Sequence, residues 1–232
     1  MNRDILNKIK GGLIVSCQAL EDEPMHSSFI MSRMAYAARE GGASGIRANT
    51  VADIMEIRKT VDIPIIGIVK RDYEDSGVFI TPTMDEVDAL AECGVDIIAA
   101  DATHRGRPNG KSLDGFFLEA RNKYPDQLFM ADCSSYEEGI HAACLGFDLI
   151  GTTLNGYTPY TRDSELPNLD LIKRLAEDCR KPVIAEGGIW TPKQLKAALA
   201  AGALAAVVGT AITRPRDITR YFIRNSGCRE RK

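Results

Sequence analysis

No stretch of this chain reaches the ~20 consecutive apolar residues that a membrane-crossing helix requires. The longest apolar stretch, Ala197 to Ile212, is broken by Gly202, Gly209 and Thr210. An early run, GGLIVSC, ends at Gln18 and follows the acidic Asp4, which makes it too short for a secretory signal. Cysteine pairing is also lacking. The six cysteines (17, 93, 133, 144, 179 and 228) include no CxxC pair and no dense framework, so reduced thiols in a cytoplasmic protein are expected. Of the three histidines, His26, His104 and His141, no two share a ligand-like spacing, and Asp101 with His104 makes a poor pair. No metal is expected. A formal charge of −3 argues against a general nucleic-acid surface while leaving room for a local basic site. No Pro/Ser-rich or charge-run linker interrupts the pattern, so the 232 residues are read as one domain. With 44% hydrophobic and 26% charged residues, that domain has material for a sizeable core.

What is present is a weak internal repeat. Four times an alanine-rich helical pattern meets a glycine and passes into a short apolar run: 34–49, 87–100, 139–152 and 195–210. The glycine suits the left-handed position just past a helix. The run after it is nearly all apolar, as a strand buried on both faces should be. Repeated helix–Gly–strand units predict parallel strands with helical crossovers. This pattern predicts strands at 12–17, 44–48, 64–69, 95–100, 127–131, 146–150, 182–185 and 205–209. A further candidate, VFITP at 78–82, follows too closely for a parallel crossover and is expected in an extended loop above the third strand. Eight parallel strands in a chain of this size predict a (β/α)₈ TIM barrel. A doubly wound sheet would carry a Gly-rich fingerprint after its first strand, where Ser16-Cys17-Gln18 stands instead.

In such a barrel the polar residues ending the strands form the site. These are Gln18, Arg47, Asn49, Lys70-Arg71-Asp72, Asp101, Asp132, Thr152, Glu186 and Gly209-Thr210. Gly187, Gly188 and Gly209 suit the phosphate cradle that follows the seventh and eighth strands, and Arg214 follows closely enough to reach the anion. Lys70 suits a general base, its pKa lowered by burial and by Arg47, or a Schiff base; the alternative is a lysine that pairs Glu186 or Asp132. Glu186 either moves protons or caps the next helix, and Asp132 either orients a substrate hydroxyl or caps the helix near Ser134. Arg47 either stabilises an oxyanion or forms a structural ion pair. DATHRGRP, after the fourth strand, is read as a covering or packing loop, and Cys17 and Cys133 as buried small residues. The long segment 151–168 has the size of a lid, with Tyr157, Tyr160 and Arg162 expected to contact substrate or exclude water.

GGLIVSCQALEDEPM, GIRAN, PIIGIVKRDY, ADCSS, GTTLNGYT, IAEGGI and VVGTAITRP together resemble the N-acetylmannosamine-6-phosphate 2-epimerase family, across nearly the whole chain. The resemblance implies a TIM barrel that interconverts N-acetylmannosamine 6-phosphate and N-acetylglucosamine 6-phosphate without cofactor or metal. It implies Lys70 and Glu186 as the catalytic pair, with Gln18, Arg47 and Asp132 on the sugar and its acetamido group. The region of Gly188, Gly209 and Arg214 would hold the phosphate. A homodimer is expected, through the C-terminal helix near 214–224. The competing readings are a lyase or synthase acting through a Lys70 Schiff base, and a sugar-phosphate-binding barrel without catalysis.

Overall fold

Period-two alternation decides which side chains enter the barrel. The computed structural model describes residues 2–228. Helix α1 (Asn2–Ile9) is followed by β1 (Leu13–Cys17), α2 (Ser28–Glu40), β2 (Gly45–Asn49), α3 (Val51–Arg58) and β3 (Ile65–Ile68). Then come α4 (Met84–Glu92), β4 (Ile97–Asp101), α5 (Leu113–Lys123), β5 (Leu128–Asp132), α6 (Tyr136–Leu145) and β6 (Leu149–Gly151). The remaining described elements are α7 (Leu169–Asp178), β7 (Val183–Glu186), α8 (Pro192–Ala200), β8 (Ala205–Val208), α9 (Thr210–Thr213) and α10 (Pro215–Ser226). The strands pair in sequence order, all parallel, and β8 returns to β1 to close the barrel. This is the expected (β/α)₈ fold, with strand boundaries within two residues of expectation except at β6, which starts three residues later. The glycines foreseen past the repeating helices do take positive φ, at Gly42, Gly94, Gly146 and Gly202.

Two apolar layers result. Ile14, Ile66, Ile68, Ile97, Leu128, Met130, Leu149, Ile184 and Val207 fill the barrel interior. Ile46, Ala48, Ile98, Phe129, Ala131 and Ala185 face the helices from the same strands. Each strand thus alternates strictly between two buried environments, which is why it reads as continuously apolar. The inward rows extend past the apolar layer: 14, 16, 18; 66, 68, 70; 128, 130, 132; 184, 186. Gln18, Lys70, Asp132 and Glu186 are therefore the next inward rungs at the C-terminal mouth, as is Arg47 on β2. Capping boxes start α4, α6 and α8 with Thr83, Ser135 and Thr191, each such cap contributing about 1 kcal/mol. The VFITP segment is no ninth barrel strand. Ile80 makes a single antiparallel bridge to Lys70, just beyond β3.

Candidate active site

The inward rungs converge on a mouth cavity of about 670 Å³. Gln18, Arg47, Lys70, Glu186, Gly188, Gly209 and Arg214 all lie on its wall. Beneath them Arg47 reaches across the barrel from β2. Its Nη1 and Nη2 donate to Asp132 Oδ1 and Oδ2 at 3.1 and 2.5 Å, and Nη1 lies 3.1 Å from Glu186 Oε2. The Thr153 hydroxyl closes the cluster, 2.6 Å from Asp132 Oδ1 and 3.0 Å from Glu186 Oε2. Arg47 and Asp132 are fully buried. A buried bidentate pair of this kind repays its desolvation only when the geometry is tight, so the cluster is a rigid floor. Arg47 Nε is buried and without an acceptor among the described residues.

Lys70 stands apart from that floor. Its backbone N–H donates to Asn49 Oδ1 at 2.8 Å, yet no carboxylate lies within ion-pair distance of its ammonium among the described residues. Burial lowers its pKa from 10.5 to about 8, aided by the positive charges of Arg47 and Arg214 and opposed by Glu186 and Asp132. For Glu186 burial raises the pKa and so does Asp132, while Arg47, the Thr153 hydrogen bond and Lys70 pull it back; the balance stays upward. Burial alone would weaken the Arg47 cation, but Asp132 and Glu186 outweigh it and hold the guanidinium charged. The site therefore pairs a lysine that loses its proton easily with a carboxyl that keeps one longer than usual.

The other end of the cavity is built for close backbone approach. Gly188 has φ +69°, and a Cβ there would sit 2.3 Å from Leu166 Cβ, so only glycine fits. At Gly209 a Cβ would press on Ser16 Cβ at 3.2 Å. Thr213 Oγ1 donates to the Ser16 carbonyl at 2.7 Å, which ties α9 to β1 and fixes the Gly209–Thr210 backbone on the wall. Arg214 lies beside it, 3.3 Å from Glu23 Oε2, and is within electrostatic reach of Lys70.

Several expectations meet a different arrangement. Asp132 takes no place on the cavity wall but lies behind Arg47, and the cap of α6 is Ser135. Tyr157 lines the cavity, but Tyr160 does not. Its hydroxyl donates to the buried Glu138 carboxylate, which also gathers the backbone N–H groups of Ser134, Ser135 and His104. Arg162 is also off the wall. The loop after β4 packs: Arg107 stacks on Phe116 and donates to the carbonyls of Pro82 and Asp101, while Asp101 pairs with Arg105. Among the described residues no group of three His, Cys, Asp or Glu side chains is arranged to hold a metal. Thr153 was missed in favour of Thr152, whose hydroxyl is spent on the Glu186 backbone. The alternation 149, 151, 153 was the available signal. Tyr221, Arg220 and Arg224 of α10 also reach the wall, Tyr221 stacked on Trp190 at 4.8 Å, and no periodicity announced them.

A family model described as "Putative N-acetylmannosamine-6-phosphate epimerase" matches residues 31–227. A relative named "Putative N-acetylmannosamine-6-phosphate 2-epimerase" from Caldanaerobacter subterraneus subsp. tengcongensis is 56% identical over 223 residues, 96% of this chain and 94% of the relative. One of the same name from Listeria monocytogenes serotype 4b is 52% identical over 224 residues, 96% of this chain and 97% of the relative. Among solved structures, the N-acetylmannosamine-6-phosphate 2-epimerase from Clostridium perfringens matches with a TM-score of 0.91 at 52% identity, over 95% of each chain. A thiamine phosphate pyrophosphorylase from Pyrococcus furiosus, with a TM-score of 0.61 at 21% identity over 93% of each chain, shares the fold alone.

Proposed function

The chain belongs to the N-acetylmannosamine-6-phosphate 2-epimerase family and is an epimerase; we propose that Lys70 and Glu186 are the pair through which it interconverts N-acetylmannosamine 6-phosphate and N-acetylglucosamine 6-phosphate. The observation that carries the assignment is Lys70 itself: an ammonium without a carboxylate partner among the described residues, on the wall of the mouth cavity, with a pKa brought down to about 8. Such a lysine is partly neutral near pH 7 and can accept a proton.

Inversion at C2 needs a C–H that is acidic only when C1 is a free aldehyde, so the sugar ring opens first. Glu186, with its raised pKa, carries the proton between the O1 hydroxyl and the ring oxygen. Neutral Lys70 then removes the C2 proton, and the electron pair moves onto the carbonyl oxygen as an enolate. The Arg47 guanidinium, fixed by Asp132 and on the cavity wall, stabilises that charge. A preorganised donor of this kind is commonly worth about 3 kcal/mol. Return of a proton to the opposite face gives the epimer. Gln18 faces the sugar from β1, and Asp132 acts by holding Arg47. Gly188, Gly209 and Arg214 hold the phosphate, which positions C2 without touching the reacting bond. The chemistry uses side chains alone, without cofactor or metal.

The proposed setting is a cytoplasmic homodimer. The six cysteines of each chain are free, and no described helix is long and apolar enough to cross a membrane. Helix α10 buries none of its residues and leaves Phe222 exposed, a surface suited to a second copy. The test is proton NMR of the purified protein with N-acetylmannosamine 6-phosphate in D₂O containing EDTA. N-acetylglucosamine 6-phosphate deuterated at C2 is the expected product; unchanged substrate on a folded, binding protein overturns the assignment.

A further inference from the structure

The segment that carries Lys70 is held from outside the cavity by one buried carboxylate. Beyond β3 the chain stays extended, so Lys70 turns inward and the next residue, Arg71, turns outward. Residues 69–71 pair with 79–81: Thr81 N–H donates to Val69 O at 2.8 Å, and Arg71 N–H to Phe79 O at 3.0 Å. Phe79 and Ile80 thereby become cavity wall beside Lys70. Arg107 anchors the far arm of this ribbon through the Pro82 carbonyl at 2.7 Å. The near arm is held by Glu86, on the first turn of α4, whose side chain is 1% exposed while that of Arg71 is 57% exposed.

The two oxygens of Glu86 do separate things. Oε2 closes the helix cap, accepting from Thr83 N–H at 2.8 Å and Thr83 Oγ1 at 2.7 Å. Oε1 faces the loop, accepting from Tyr73 OH at 3.0 Å and lying 3.0 Å from Arg71 Nη1. The cap does not need the second oxygen or the charge. At the equivalent place on α8 a neutral amide, Gln194, serves with one oxygen for Trp190 N–H, Thr191 N–H and Thr191 Oγ1. We propose that Glu86 is a positioning residue for the epimerisation: through Arg71 and Tyr73 it fixes the extended segment so that Lys70 projects at the substrate carbon. This rests on the assignment of Lys70 as the base.

The test compares Glu86→Gln, Arg71→Gln and Tyr73→Phe with the wild type and with Lys70→Ala in the C2 deuterium-exchange assay across pH 6–10. Glu86→Gln keeps the cap but turns an amide toward Arg71; Arg71→Gln alters a largely exposed side chain and settles the matter if the first variant fails to fold. The expected result is a kcat lowered about tenfold in Glu86→Gln and Arg71→Gln, with KM within about twofold, because sub-ångström displacement of a reacting group acts on turnover. The rate profile is expected to move toward the ordinary lysine range, and Tyr73→Phe to shift both readouts in the same direction. A kcat within about twofold of wild type in both Glu86→Gln and Arg71→Gln, while Lys70→Ala is inactive, overturns the positioning role and leaves Glu86 a helix cap. Full activity in Lys70→Ala removes instead the assignment on which the proposal stands.

Discussion

The pH dependence of turnover is the most direct consequence of the way Lys70 is held. Burial, then Arg47, then Arg214 bring its pKa from 10.5 to about 8. At 1.36 kcal/mol per unit this is about 3 kcal/mol of bias toward the neutral amine. At pH 7 about one lysine in ten is then neutral, against roughly one in several thousand for an ordinary lysine. The sign is fixed by the base role. As pH rises toward 8, kcat/KM rises about tenfold per unit, and above 8 it levels off. The second ionisation of a sugar phosphate lies near 6, so the substrate's own titration falls below this limb. The assay is initial-rate C2 exchange in D₂O from pH 6 to 10, with Lys70→Arg as the control that stays charged and inactive throughout. Arg214→Met removes one of the three lowering influences, and its limb moves to higher pH. A rate that is flat from pH 6 to 10, or that rises only near the ordinary lysine range, refutes the neutral-lysine reasoning.

Three further outcomes follow from the same geometry. Asp132→Asn strips the bidentate partner from a fully buried guanidinium and leaves only Glu186 beside it, so denaturant melts should show a loss of about 3 kcal/mol with turnover strongly reduced. Gly188→Ala forces a Cβ into Leu166 at positive φ, costing about 1–3 kcal/mol in thermal melts and raising KM more than it lowers kcat. Phe222→Glu places a charge on the exposed face of α10, and sedimentation velocity should shift from dimer toward monomer if that helix is the proposed interface.

The barrel and its inward rungs are written in the local pattern of residues. Both follow from short-range stereochemistry: strands alternate sides, helices end where a left-handed residue releases them, and parallel strands need a helix between them. The placement of Lys70 and Glu186 on the cavity wall was legible because a charged residue ending an apolar strand on an inward rung emerges at the barrel mouth. How the charges are shared emerges only once the barrel closes. Arg47, Asp132 and Glu186 come from β2, β5 and β7, strands that are not neighbours, and meet only because the closed barrel brings its inner faces within side-chain reach. The same closure leaves Lys70 without a carboxylate partner among the described residues and turns Tyr160 away toward the buried Glu138. Arg71 and Glu86 likewise pair through a hairpin that local pattern does not specify. Electrostatic partners depend on through-space distances that a linear chain does not encode locally, whereas periodicity is written into every few residues.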